Sequence, residues 1–423
     1  MALEDYRGVM GRCMRCSYCK WIPLSQVKSY RFAKGCPSVE YNKFHAYSAG
    51  GRLAFGLALQ EGKIDYTEKV PDIVYKCMLD GLCDVSCKVC RYDMEPVETM
   101  RELRFKLVED GQLLPEHMVV IEGLRKDDNM LMKPKAERGK WSEGLDIKDL
   151  TQEKAEVVFH TGCRFSFDEE LWKVARIAIT LIRDAGVDVG VMGTNETCCG
   201  SKAYDMGYKG EFNKYAQNNI EAWKRAGVKT VVTSCSDCYH GFKRLYPQIG
   251  SNFEVLHTVE FINRLVMSGK IRFSKTIPMT VTYHDPCHLG RRGEPYVPWK
   301  GIQKKIRGQM NVYEPRKPRY NGSNGVYQAP REVLKSIPGL RLVEMERIKE
   351  YAWCCGAGGG VREAYPDFSL WTAGERIEEA KATGAEAIVT ACGWCERNFL
   401  DVVNRGGGRM KVYDILELVQ RAI

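Results

Sequence analysis

The chain has 423 residues, is 44% hydrophobic and carries 18 cysteines, which leaves room for two or three domains that each bury a core. Its formal net charge of +9 is spread over 63 basic and 54 acidic residues, too evenly mixed to indicate nucleic-acid binding. No apolar run reaches the roughly 18 residues that cross a bilayer, and the start, Met1 to Arg7, lacks the basic and apolar regions of a secretory signal, so a cytoplasmic protein is expected, without direct membrane insertion.

Cys13, Cys16 and Cys19 open the run C-x2-C-x2-C-x3-C-P of bacterial ferredoxins, with the fourth cysteine displaced to Cys36-Pro37. A second run, Cys77, Cys83 and Cys87, keeps the frame but has Asp80 where its second cysteine belongs. In such modules the fourth cysteine of each run ligates the other run's cluster. The expected sets are therefore Cys13, Cys16, Cys19 with Cys87, and Cys77, Asp80, Cys83 with Cys36. Asp80 has three readings: a carboxylate ligand, an open iron site giving a three-iron cluster, or replacement by nearby Cys90. A zinc ribbon fits poorly, because a Cys triplet followed by Cys-Pro is not a tetrahedral frame. Apolar spacing predicts helices over Gly51–Gln60 and Val97–Glu109, so residues 1–112 read as an α-helical module. Residues 113–156, polar and Lys-rich, read as a linker wrapping one module onto the next.

From Val157 onward one cysteine pattern occurs twice. Its first copy is Cys163, Cys198-Cys199-Gly200 and Cys235-x-x-Cys238; its second is Cys287, Cys354-Cys355-Gly356 and Cys392-x-x-Cys395. Flanking residues repeat as well: Val157–Cys163 parallels Val281–Cys287, each ending in His-x-x-Cys, and Thr230–Cys235 parallels Ala387–Cys392, so this is an internal repeat. Five thiols per copy is one more than tetrahedral zinc uses, which points to iron and sulfide. No cysteine lies far from a cluster motif, as expected of an oxygen-sensitive protein from an anaerobic or low-oxygen host.

Each repeat, 157–275 and 276–423, alternates β-rich runs with helical ones such as Gly210–Ala226 and Ser369–Thr383, the signature of an α/β fold with a parallel sheet. In such sheets ligands bind beyond the carboxyl ends of the strands, where Cys163, Cys235, Cys287 and Cys392 are expected. The second copy places 66 residues between Cys287 and Cys354 against 34 in the first. The surplus coincides with a basic stretch, about 291–324, in which Arg291 to Arg319 holds nine Lys or Arg against two Glu. It reads as a solvated insertion loop or as a docking surface for an acidic partner.

Gly356-Ala-Gly-Gly-Gly360 lacks the Rossmann spacing of a nucleotide loop and is read as letting backbone amides approach sulfur. His160 and His284, equivalent in the repeats, are read as structural; His288 and His240 are candidates for proton delivery.

The two complete motifs resemble the CCG, or cysteine-rich, domains of heterodisulfide reductase, and the amino-terminal module resembles the form in which two subunits of that enzyme are fused. The resemblance covers about residues 10–400. It implies an α-helical two-cluster ferredoxin module followed by two duplicated Rossmann-like CCG domains, with two cubane [4Fe-4S] clusters in the ferredoxin module. It also implies a noncubane [4Fe-4S] cluster on Cys163, Cys198, Cys199, Cys235 and Cys238, and another on Cys287, Cys354, Cys355, Cys392 and Cys395. The function implied is an iron-sulfur electron-transfer subunit of a heterodisulfide-reductase-like complex, with that of class II benzoyl-CoA reduction the best specific match. Alternatives are a catalytic disulfide reductase of the CoM-S-S-CoB type, an iron-sulfur subunit of a 2-hydroxy-acid or glycerol-phosphate oxidase, and a redox-silent zinc scaffold. Expected partners are a flavin-containing heterodisulfide-reductase-like subunit and hydrogenase-like or acyl-CoA reductase subunits; no flavin or nucleotide motif occurs in this chain, and catalytic residues are not identified.

Overall fold

A computed structural model describes residues 2–90, 94–307, 310–318, 320–406 and 409–423. The amino-terminal module is helical, with its main helices at Ala49–Gln60, Lys69–Tyr75, Leu82–Cys90 and Pro96–Glu109. Ser48 caps the first of these by accepting the Gly51 N–H at 3.0 Å, and Pro96 starts the last, where its missing N–H costs nothing. Leu53, Val70, Val74, Leu103 and Leu107 meet as a small apolar core beneath the cysteine loops.

The segment 113–156 is no loose spacer. Pro115–Asp127 forms a helix that buries His117, Val120, Ile121 and Leu124, and β1 (Lys148–Asp149) pairs at the edge of the first sheet. The apolar spacing at 120, 121 and 124 explains this: it gives the helix a face to bury despite its charged surroundings.

The first sheet holds β1, β2 (Val157–Phe159), β3 (Val189–Val191), β4 (Thr230–Thr233) and β5 (Glu254–His257), all parallel, in the order β1-β3-β2-β4-β5. After β6 (Met279–Tyr283) comes an antiparallel hairpin, β7 (Ile302–Ile306) and β8 (Met310–Glu314). The second sheet is completed by β9 (Leu340–Leu342), β10 (Ala387–Thr390) and β11 (Lys411–Asp414), parallel in the order β9-β6-β10-β11. Without β1 the two sheets have the same topology: the second strand of each repeat lies outside the first, followed by the third and fourth. Short β-branched runs such as Val157–Phe159 are buried throughout, as strands covered on both faces must be.

One apolar core runs through both repeats. The helix after the first strand of the first repeat, Trp172–Asp184, packs on the carboxyl-terminal helix Ile415–Ala422. Reciprocally, Gln328–Ser336 packs on Thr258–Met267, the helix that ends the first repeat. The repeats are thus joined about a pseudo-two-fold relation.

The basic stretch divides in two. Arg291 and Arg292 are buried, so they are not part of a solvated loop; the part beyond them is the β7–β8 hairpin, with every residue of β7 exposed. Arg319 lies outside the described residues. Among the described residues no helix is long and apolar enough to cross a membrane.

Candidate metal centres

Cys13 and Cys16 sit on the loop that follows helix Arg7–Gly11, Cys19 lies in the 3-10 turn Tyr18–Lys20, and Cys87 faces them from helix Leu82–Cys90. Burial pushes the Cys87 thiol up, and Cys19, Cys13 and Cys16 are near enough to add to that shift. Cys16 is exposed while Cys19 is buried, so this group lies at the surface. Cys36, Cys77, Asp80 and Cys83 line one small cavity together with Arg52 and Cys19. Burial, then the Asp80 carboxylate, push the Cys36 thiol up to about 12. The side chain of Cys90 lies outside the described residues.

The ten cysteines of the repeats are all buried and form two chains of sulfur contacts with the same order. In the first repeat Cys163 touches Cys198, Cys198 touches Cys199, Cys199 touches Cys238 and Cys238 touches Cys235. In the second the sequence is Cys287, Cys354, Cys355, Cys395 and Cys392. The central thiol of each chain, Cys199 and Cys355, is brought down to about 6 by the two thiols that flank it. The strands explain the convergence: β2, β4, β6 and β10 each release their cysteine a few residues past the carboxyl end, and Cys235 and Cys392 begin the helices Ser236–His240 and Gly393–Arg405.

Backbone and side-chain donors frame both chains. The N–H groups of Gly200 and Gly356, both at positive φ, point at the sulfurs of Cys198 (3.3 Å) and Cys354 (3.4 Å). Asn219 and Asn398 donate to the carbonyls of Cys198 (2.9 Å) and Cys355 (2.6 Å). Buried Arg138, from the 113–156 segment, reaches Cys163 Sγ at 3.5 Å and Glu196 at 2.8 Å, while Glu196 also accepts the N–H groups of Thr161 and Gly162. The second repeat has a histidine instead: a ring nitrogen of His284 and the sulfurs of Cys355 and Cys395 lie within 4.8 Å of one another. His160 is packed edge-on against Phe242 and Trp223, a structural role; His284 likewise packs on Phe399, but it also borders the site.

The two thiol chains face one another. Ser236 Oγ, inside the first Cys-x-x-Cys, donates to the Ala391 carbonyl at 2.9 Å. His288 joins Cys287 Sγ (3.4 Å) to Asp237 (3.1 Å) of the opposite motif. One cavity is lined by Asp237, Cys287, His288, Cys355, Cys392 and Cys395, among others. Behind His288 lies a buried polar cluster that composition did not reveal. Arg101 donates to Asp205 at 2.9 Å, and Arg101 and Arg292 both donate to His240 Nε2, whose Nδ1–H donates to the Arg292 carbonyl at 2.6 Å. Burial alone would raise the Asp205 pKa, but Arg101, His288 and His240 together outweigh it and hold the carboxyl below its usual range. Burial, with His288 and Arg101, drives His240 well below the usual histidine value, so it is a neutral ring locked in one tautomer with no free nitrogen for proton delivery.

The second thiol chain also lies against the ferredoxin module. The backbone of Gly358 and Gly359 presses on Cys77 and Met78: a Cβ on Gly359 would sit 2.7 Å from the Cys77 carbonyl oxygen. Arg104, fully buried, ties the three modules by donating to the carbonyls of Cys77 (2.6 Å), Asp205 (2.6 Å) and Gly359 (2.7 Å). The glycine run thus combines an amide aimed at sulfur, at Gly356, with a close backbone approach that only Cβ-free residues allow.

The 17 cysteines whose side chains are described are all free thiols. Ten of them are packed in buried contact as two groups of five, one more per group than zinc takes. The donor set fits iron and sulfide, and the fold and sites together define an iron-sulfur oxidoreductase.

Residues 9–90 match the 4Fe-4S dicluster domain family, and residues 157–243 and 318–399 match the cysteine-rich CCG domain family, the second match resuming beyond the hairpin. The chain is 31% identical over 423 residues to a subunit of the dihydromethanophenazine:CoB--CoM heterodisulfide reductase of Methanosarcina mazei, covering 97% of this chain and 93% of that one. It belongs to the family of that heterodisulfide reductase subunit. It is also 28% identical to the EtfAB:quinone oxidoreductase of Syntrophomonas wolfei and 26% identical to the probable iron-sulfur-binding oxidoreductase FadF of Bacillus subtilis, spanning 46% and 56% of their lengths.

Proposed function

We propose that this chain is the electron-relaying iron-sulfur subunit of a multi-subunit oxidoreductase. Cys13, Cys16, Cys19 and Cys87 hold one cubane-type cluster, and Cys36, Cys77 and Cys83, with Asp80 beside them, hold a second. Cys163, Cys198, Cys199, Cys235 and Cys238 hold a noncubane four-iron cluster, as do Cys287, Cys354, Cys355, Cys392 and Cys395. When bound, such clusters accept and give up electrons one at a time. The protein's own part is to exclude water from ten thiols, aim the amides of Gly200 and Gly356 at sulfur, and fix the spacing of the groups.

The observation that carries this reading is continuity: the second thiol chain touches the first through His288 and Asp237 and the ferredoxin backbone through Gly358 and Gly359. A second reading, reduction of a bound heterodisulfide, is favoured by the complete five-cysteine groups, the second of which has His288 at 3.4 Å from Cys287 Sγ.

Strictly anaerobic purification from native cells, with iron and sulfide analysis and identification of co-purifying chains, tests both. Four clusters together with a flavin-containing subunit support the relay. Acyl-CoA reductase subunits in the same preparation would assign it to aromatic acyl-CoA reduction, and an electron-transfer flavoprotein would align it with the quinone oxidoreductase relatives. A solitary chain with full iron that reduces a CoM-S-S-CoB disulfide from a reduced dye would replace the relay with the reductase. Colourless protein would reject both.

A further inference from the structure

The residue that breaks the ferredoxin pattern is held by a partner from another module. Asp80 stands between Cys77 and Cys83 and lines their cavity, yet its side chain is engaged on both oxygens. Oδ1 accepts the Leu82 N–H at 3.0 Å, the turn that starts helix Leu82–Cys90. Oδ2 pairs with Arg291 Nη2 at 3.2 Å, and Arg291 Nε donates to the backbone carbonyl of the same residue at 2.6 Å. The guanidinium therefore holds residue 80 by a hydrogen bond to its main chain and a charge contact, without hydrogen-bond alignment, to its side chain.

Arg291 has reason to stay there. It is buried, its Nη1 donates to the carbonyls of Glu350 (3.0 Å) and Ala352 (2.6 Å), and among the described residues Asp80 is its only carboxylate partner. Turning Asp80 toward iron would take its carboxylate from a buried cation that has no other carboxylate partner among the described residues. The exchange would also be for a poor bond, since a hard carboxylate oxygen is a weak match for an iron-sulfide cluster.

We infer that Asp80 is not an iron ligand but the counter-ion of Arg291, and that Cys36, Cys77 and Cys83 hold a three-iron cluster, no other described side chain being placed to bind a fourth iron. This rests on the proposal above that these three cysteines hold a cluster. Arg291 lies four positions after Cys287 and feels the charges of Cys287 and Cys354. The Asp80–Arg291 pair is thus a charged link between the second ferredoxin site and the second five-cysteine site.

The test is EPR and iron analysis of the full chain purified without oxygen. The oxidised protein should show the narrow, near-isotropic signal of a three-iron cluster, and the signal should survive incubation with ferrous iron, sulfide and reductant, which rebuilds a damaged four-iron cluster. Asp80→Asn, which keeps an acceptor for the Leu82 N–H but removes the counter-ion of Arg291, should lower stability yet leave the signal at full strength in the folded protein. Asp80→Cys should abolish it and add one iron atom per chain. The inference is overturned if ferrous iron erases the wild-type signal. It is equally overturned if the wild type lacks the signal and Asp80→Asn loses iron, which makes Asp80 a ligand, or if Cys90→Ser creates the signal, which makes Cys90 the ligand. Failure of the underlying reading looks different: Cys77→Ser would then change neither iron content nor any EPR signal.

Discussion

Replacing Gly359 with alanine tests whether the second repeat is sterically locked to the ferredoxin module. Gly359 has φ +59°, and an added Cβ would lie 2.7 Å from the Cys77 oxygen and 3.0 Å from the Met78 carbonyl carbon. The left-handed backbone costs a non-glycine residue about 1–2 kcal/mol. Both contacts are rigid backbone, so the loop or the Cys77–Met78 segment must shift, a disturbance worth about 1–3 kcal/mol in a packed interior. The expected loss is therefore about 2–5 kcal/mol. Gly62 supplies the control, because its φ is +64° but nothing lies within 4 Å of its Cβ position; Gly62→Ala should cost only the backbone part, about 1–2 kcal/mol. Anaerobic denaturant unfolding of the cluster-loaded proteins, followed by tryptophan fluorescence, gives the two midpoints. A Gly359→Ala protein no less stable than Gly62→Ala would refute the idea that this contact is tight.

Arg138→Met should lower stability by about 3–5 kcal/mol, because it leaves Glu196 buried without its cation; thermal unfolding measures this, and iron analysis should show loss confined to the first repeat. Cys199→Ser and Cys355→Ser should each remove the central thiol of one contact chain and cost that repeat its iron and sulfide; EPR that shows both repeats depleted by either change would contradict two separate sites. Replacing residues 302–314 by a short Gly-Ser turn removes the edge contact between Trp299 and Tyr313 and no buried core, so it should lower stability by only about 0.5–1.5 kcal/mol. It should leave iron content unchanged while weakening a salt-sensitive association with an acidic redox partner, measurable by co-purification at increasing ionic strength.

The duplicated α/β architecture was legible because its cysteines are punctuation. Cys163, Cys235, Cys287 and Cys392 each follow a short β-branched run, so one residue type marks both the strand end and the site. The β7–β8 hairpin was not legible as strands: Ile302-Gln-Lys-Lys-Ile306 lies wholly in solvent, and period-2 patterning reports a strand only when one face is buried. Nor was the Arg101–Asp205–His240–Arg292 cluster, since its members come from four separate segments and each reads locally as an ordinary surface charge. Their burial becomes affordable only through one another. The helix Pro115–Asp127 did carry a signal, the apolar positions 120, 121 and 124 behind a Pro at the first turn, which the surrounding lysines obscured.

The reciprocal packing of the repeats has a bearing on the chain's history. Trp172–Asp184 on Ile415–Ala422 and Gln328–Ser336 on Thr258–Met267 are the same contact made twice, the defining property of an isologous interface. Two half-length chains related by a two-fold axis would bury the same surfaces and bring the same two thiol groups face to face, so a symmetric homodimer is a geometrically complete ancestor of this fold. A single chain lets the halves differ, and they do so asymmetrically: one has the short path from its first cysteine to its Cys-Cys pair, and the other carries a hairpin that no symmetric dimer could display only once.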